Sequence, residues 1–110
     1  MQTTTIQAPA LTQNLPTTIT QVLATPGSGA IVVSGATFCN KTSSPVTISF
    51  TCFNGSIDVY MAFTQTIGPL DTLTFGGDFF KAAITNGFTL RALCNTASAV
   101  DVCIYSTLFS

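Results

Sequence analysis

The chain has 110 residues, a net charge of −1 and only 6% charged side chains, against about 25% in an ordinary soluble domain. The charges are Lys41, Asp58, Asp71, Asp78, Lys81, Arg91 and Asp101, and the sequence contains no Glu, no His and no Trp. That composition excludes a basic footprint for phosphates, so no nucleic-acid partner is expected. The missing His removes the commonest general base and every Ser-His-Asp or Cys-His pairing.

Hydrophobic residues make up 46% of the chain, enough for one core, and the length suits one domain. Thr and Ser stand where charges usually do. Neutral hydroxyls cost far less to desolvate than charges, so such a surface suits a chain that is covered by copies of itself or by a larger assembly. The alternative is an extracellular β-domain with a Thr-rich coat. No run approaches the roughly 20 apolar residues of a membrane helix, and no membrane partner is expected. Met1-Gln2-Thr3-Thr4-Thr5 lacks a basic region followed by an apolar stretch, so the chain reads as made in the cytosol and unprocessed.

Residues 1–20 are rich in Thr and Gln, with Pro9 and Pro16 enforcing extended backbone. They read as an extended N-terminal arm with Ile6, Leu11, Leu15 and Ile19 as anchors for a partner, or else as a disordered tail. Residues 21–110 read as strands and turns. Pro26-Gly27-Ser28-Gly29 is a turn, and Ile31 to Asn40 a strand with a bulge at Gly35. After the polar turn 40–45, Val46, Ile48, Phe50 and Cys52 alternate with Thr47, Ser49 and Thr51, the period of a half-buried strand. Asn54-Gly55 marks a hairpin, and the spacing predicts Ile57, Val59, Met61 and Phe63 on the inward face of the next strand.

Ile67-Gly68-Pro69-Leu70 turns the chain into a short strand at Leu73 and Phe75, broken by Gly76-Gly77. Residues 79–84 fit one helical turn or a short strand. Asn86-Gly87 is a second hairpin signal, followed by alternation through Phe88, Leu90, Ala92 and Cys94, a turn at 95–99, and alternation through Val100, Val102 and Ile104. Strands at this spacing predict an all-β fold: a single antiparallel β-sandwich of jelly-roll type. Phe38-Cys39-Asn40 and Leu93-Cys94-Asn95 echo each other, each a strand end followed by a small polar turn.

Little in the chain suits chemistry. The four Asp sit in separate segments, so the facing pair of a glycosidase is not expected. Cys39, Cys52, Cys94 and Cys103 show no CxxC spacing, which argues against zinc. They read as free thiols in a reducing cytosol, with one disulfide as the alternative and Cys39–Cys94 as the pair the echo suggests. Gly76-Gly77-Asp78 and Gly27-Ser28-Gly29 lack the helix and lysine of a phosphate loop. Asn40-Lys41-Thr42 and Asn54-Gly55-Ser56 match the glycosylation sequon by chance. No catalytic residue, cofactor or metal is expected. Phe38, Phe53 and Phe109 fall opposite the main apolar rows, either to complete a second core face or to form an exposed interface patch.

Four hairpin-like segments carry a resemblance: residues 36–48, Thr66-Ile67-Gly68-Pro69-Leu70-Asp71-Thr72-Leu73, residues 86–94, and Ala97-Ser98-Ala99-Val100-Asp101-Val102. Together they resemble the hairpins of small β-sandwich virion proteins of tailed bacteriophages, over about two thirds of the chain. The pattern departs at Phe88, where the family often has Asp, at Leu70, where it has Gly, and at the end, which is not acidic. The resemblance implies a non-catalytic sandwich that decorates a capsid or joins a neck or tail. The leading expectation is a capsid decoration (cement) protein, assembled in the host cytoplasm and located in the virion. It would bind the major capsid protein or other virion proteins as a homotrimer or homodimer. A neck or tail accessory protein is the alternative within the virion. A carbohydrate-binding β-module is the alternative outside it, although Trp is absent and Tyr60 and Tyr105 are the only Tyr.

Overall fold

The computed structural model describes residues 4–24, 26–76, 84–85 and 87–109. Gly77, Asp78, Phe79, Phe80, Lys81 and Asn86 lie outside these, and with them the 79–83 stretch and half of the second hairpin signal. The strands are β1 (Thr4–Ile6), β2 (Ala10–Thr12), β3 (Thr20–Leu23), β4 (Ala30–Asn40), β5 (Val46–Phe53), β6 (Asp58–Ile67), β7 (Thr72–Phe75), β8 (Ile84–Thr85), β9 (Thr89–Cys94) and β10 (Val100–Phe109). One sheet runs β1-β10-β4-β7, with β2 also on β10 and β8 also on β4; the other runs β3-β9-β5-β6. Every pair is antiparallel. The chain passes repeatedly from one sheet to the other, which makes this the jelly-roll sandwich that the strand spacing predicts.

The core lies where the inner rows of the sheets meet. Ile48 and Phe50 of β5, Leu90 of β9, and Val100 and Ile104 of β10 are buried, as their alternation requires. Each such side chain contributes roughly 1.5–3 kcal/mol by leaving water. At the centre Phe38, Phe50 and Phe75 interlock, with ring centroids 5.1–5.6 Å apart. Phe38 is therefore a core residue, which fits the second-core-face reading of its position and excludes it as an exposed interface aromatic. The cause is a bulge: Tyr105 pairs with Gly35 and Ser106 with Val33, so Ser34 is an extra residue. It switches the inward set from Ile31 and Val33 to Ala36 and Phe38.

The same device overturns the reading of β6. Tyr60 pairs with Thr51 and Ala62 with Phe50, leaving Met61 as an extra residue; a second irregularity follows before Gln65 pairs with Ile48. Thr64 sits there in the left-handed region (φ 47°), and its N–H donates to Ser49 Oγ at 3.0 Å. Ala62 therefore faces the core and Phe63 faces solvent. Ile57 and Val59, also expected inside, are exposed at the end of the β5–β6 pair, and Met61 is only half-buried.

The described part of the N-terminal segment lines β10 of its own chain. Thr4 pairs with Phe109, Ile6 with Thr107 and Leu11 with Cys103. Pro9, without an N–H to give, falls in the gap between β1 and β2. Beyond β2 the Leu15 N–H donates to Val100 O at 2.7 Å, and Cys94 N–H donates to Pro16 O at 3.1 Å, so the segment crosses to the other sheet. Leu15 is fully buried in the core. Its reading as a partner anchor is corrected: an apolar side chain at the crossing point fills the mouth of its own sandwich.

Candidate interaction surfaces

Among the described residues the charged side chains are almost entirely engaged within the molecule. Lys41 Nζ lies 3.0 Å from Asp101 Oδ1 and donates to Asn14 Oδ1 at 2.5 Å, while Asn14 N–H donates to Asp101 Oδ1 at 2.9 Å. The Asn14 hydrogen bond, with help from Lys41, holds the Asp101 carboxyl below the usual carboxylate range. In the other sheet Arg91 Nε and Nη2 grip Asp58 at 3.0 and 2.5 Å, and Thr51 Oγ1 donates to the same carboxylate at 2.9 Å. The Arg91 hydrogen bonds depress the Asp58 pKa, and Thr51 adds to the effect. Asp71 accepts a hydrogen bond from the Thr72 N–H at 2.8 Å.

The outer side of the six-stranded sheet carries an open groove of about 470 Å³. Thr37 and Cys39 of β4 and Asp101 and Cys103 of β10 form its floor; Leu11, Thr12 and Gln13 form its wall. Leu11, a sequence-predicted anchor, is exposed here. Ile6 is exposed further along the same edge, and Ile19 is half-buried beyond the crossing. Hydrogen bonding with Cys103 raises the pKa of Tyr105 on this face. Phe109, half-buried at the end of β10, stands apart from Phe53 on the other sheet.

The second surface is the β6 rim. Arg91 stacks over the Phe53 ring, 3.9 Å from its centroid, so Phe53 is tied to the Arg91–Asp58 pair. Beside it Tyr60 and Phe63 meet edge to face with centroids 5.0 Å apart, both open to solvent. Ile57 and Val59 extend this apolar rim. Sequence reasoning placed Ile57, Val59 and Phe63 inside because the β6 bulges leave no mark in the alternation.

Cys39, Cys52, Cys94 and Cys103 are free thiols. Cys39 and Cys94, the pair suggested by the echo, stand in different sheets. Burial pushes the Cys52 thiol pKa up, and Cys94 donates its S–H to Thr96 O at 2.8 Å. Among the described residues no three His, Cys, Asp or Glu side chains gather as metal ligands, and no helix is long and apolar enough to cross a membrane. Asn40, read as a turn residue, is buried. Its Nδ2 donates to Ser44 O, Ile67 O and Gly68 O at 2.8–3.2 Å, and its Oδ1 accepts from the Thr42 N–H and hydroxyl at 2.9 and 2.8 Å. The first sequon is thus closed to modification in the folded chain.

No family model matches the sequence, and no curated protein sequence matches it. Solved structures do resemble the fold. A chain of the Bacillus endospore appendages, described as disulfide-linked pili, is 16% identical, with a TM-score of 0.50 over 97% of this chain and 88% of that one. A chain of the T13 IBDV viral particle gives 9% identity and a TM-score of 0.49 over 99% of this chain. A chain of the virus-like particle of Macrobrachium rosenbergii extra small virus gives 11% identity and a TM-score of 0.42, covering 98% and 79% of the two chains. The present chain spans about 30% of the IBDV chain. The similarity to the appendage chain is one of fold.

Proposed function

We propose that this chain is a non-catalytic structural protein of a virion, and specifically a capsid decoration (cement) protein that coats and stabilises the major capsid shell. One observation carries the reading. Large apolar side chains lie open on the rims of the sandwich while four of the five described charges are consumed in pairs within the chain. Such a surface is poorly suited to a life free in water and well suited to being covered. The exposed Ile6 and Leu11 on the N-terminal segment supply one attachment edge, and the groove beside Leu11 receives the capsid partner. The resemblance to phage virion hairpins supports the same class.

A carbohydrate-binding role fits less well. The aromatic face is flanked by Arg91 and Asp58, whose hydrogen-bonding groups are turned to each other rather than to a ligand. The deciding experiment is the copy number of the chain in purified particles, by quantitative mass spectrometry against the major capsid protein. A ratio near one, or a simple fraction such as one third, is expected. A handful of copies would assign the chain to a neck or tail, and its absence from particles would overturn the virion reading.

A further inference from the structure

We propose that residues 4–12 form a releasable strap: they peel from β10 as one piece, from the tip at Thr4 back to a fixed root at Asn14, while the rest of the sandwich stays closed. The inference goes beyond the virion reading and does not depend on it, because the opening belongs to the chain alone.

Little apolar burial holds the strap down. The side chains of β1 are all exposed, with Ile6 at 85%, and Leu11 of β2 is 76% exposed. Ala10 is the one apolar side chain of the segment packed, half-buried, against the core. The ladder to β10 is also broken. From Ile6 to Ala10 the strap advances four residues while β10 advances three, from Thr107 to Ile104, so the pairing falls into two short runs. What remains is backbone pairing along an open sheet edge, together with the Gln7 N–H donated to Ser106 O at 3.1 Å. Each such exposed hydrogen bond brings a small net gain, set against the entropy of ordering the segment. A segment with few buried contacts and solvent-exposed backbone bonds opens locally at low cost.

The root is built the opposite way. Leu15 is fully buried, and its N–H donates to Val100 O at 2.7 Å. One residue earlier the Asn14 N–H donates to Asp101 Oδ1 at 2.9 Å. Lys41 Nζ donates to Asn14 Oδ1 at 2.5 Å and lies 3.0 Å from Asp101 Oδ1. These side chains clip the backbone where Asn14 turns it at φ 57°, a left-handed conformation that Asn adopts more readily than most residues. The chain is therefore loosely held up to Thr12 and fixed from Asn14. Released from that root and extended, the strap reaches roughly 30 Å at about 3.3 Å per residue, more than the 22 and 27 Å breadths of the body. It carries Ile6 and Leu11 outward and uncovers the outer edge of β10.

Hydrogen exchange of the isotopically labelled full chain in reducing buffer, read amide by amide by nuclear magnetic resonance, tests this. The amides of β1 and β2 are expected to exchange within about a hundredfold of an unstructured peptide, and those of Leu15, β5 and β9 at least about a thousandfold more slowly than the strap. The Asn14 amide should share the protection of Leu15. Asp101→Ala removes its acceptor and should speed its exchange at least about tenfold, while β5 and β9 keep their protection. If Asp101→Ala fails to fold, Lys41→Ala is read in its place, with a change in the same direction. Strap amides as slow as those of β9 overturn the proposal. So does a β2 that stays protected when β1 does not, since the two would then not move as one piece. An Asn14 amide that exchanges as fast as the strap in the wild type, or one indifferent to both substitutions, removes the root and overturns it as well.

Discussion

Replacing Asn40 by Ala is expected to be among the most damaging single substitutions in a polar position of this chain. The side chain is 1% exposed and joins the β4–β5 turn to the turn between β6 and β7. Its amide donates to three backbone carbonyls, and its carbonyl receives two hydrogen bonds from Thr42. At about 0.5 kcal/mol for each of these five hydrogen bonds, four of them only part-buried, plus about 1–3 kcal/mol for leaving the buried Ile67 carbonyl unpaired, the loss amounts to roughly 3.5–5.5 kcal/mol. That is a large share of the roughly 5–15 kcal/mol that holds a domain of this size together. Urea unfolding followed by far-ultraviolet circular dichroism measures it directly. Asn40→Asp sharpens the reasoning, because it keeps the shape and sets carboxylate oxygen against carbonyl oxygen. A carboxyl in that place is pushed to bind a proton in the folded state at a pH where the unfolded chain has released it. Its stability therefore falls as pH rises, and the variant should recover toward pH 4 while the Ala variant does not. A loss below about 1 kcal/mol for Ala, or an Asp variant indifferent to pH, would refute the idea that this network closes the end of the sandwich.

Two further outcomes follow from the packing and the charges. Leu15→Ala should cost about 2–5 kcal/mol in the same unfolding assay, as expected for a fully buried leucine; a loss within experimental error would mean that the N-terminal segment is not held by the core. Asp58 and Asp101 have carboxyl pKa values lowered by folding, so their stabilisation is present above the unfolded carboxylate range and is lost as pH falls through the folded values. Thermal midpoints should therefore drop below about pH 4 in the wild type and drop less steeply in an Asp58→Asn, Asp101→Asn double variant, and the drop should shrink in high salt because both pairs are partly exposed.

The architecture was legible because β5, β9 and β10 keep the two-residue period without interruption, and because the turns carry Gly, Asn and Pro in the places that turn geometry requires. In β4 the glycine at 35 marked the bulge, one residue from the extra Ser34, but not which face would follow it; the face of β6 was not legible. An extra residue at Ser34 or Met61 exchanges inside for outside, and Met61, unlike Ser34 beside Gly35, carries no signal of it in the sequence. That single-residue slip moved Phe38 into the core and Phe63 out of it. The role of Asn40 was half visible: an Asn-x-Thr at a strand end signals a local hydrogen-bonded turn, but its bonds to Ile67 and Gly68 join residues far apart in sequence. Leu15 was misplaced for the same reason, since the carbonyl that holds it belongs to Val100.

The position of β10 has a consequence for how the molecule is made. It is an inner strand of its sheet, with β4 along one side and β1 and β2 along the other. On a ribosome, β1 and β2 have no partner until residues 100–109 follow them out, so the six-stranded sheet is completed only at the end, although β4 can pair with β7 and β8 before then. The three pairings that β10 makes, with β1, β2 and β4, span most of the chain, the topology that folds slowly. Until the sheet closes, β4 can pair with β7 and β8 along one edge but presents its other, apolar edge unpaired to its surroundings. A nascent or truncated chain ending before Val100 is accordingly the form most prone to aggregate, which makes the interval before β10 appears the point at which synthesis of this protein is most exposed to failure.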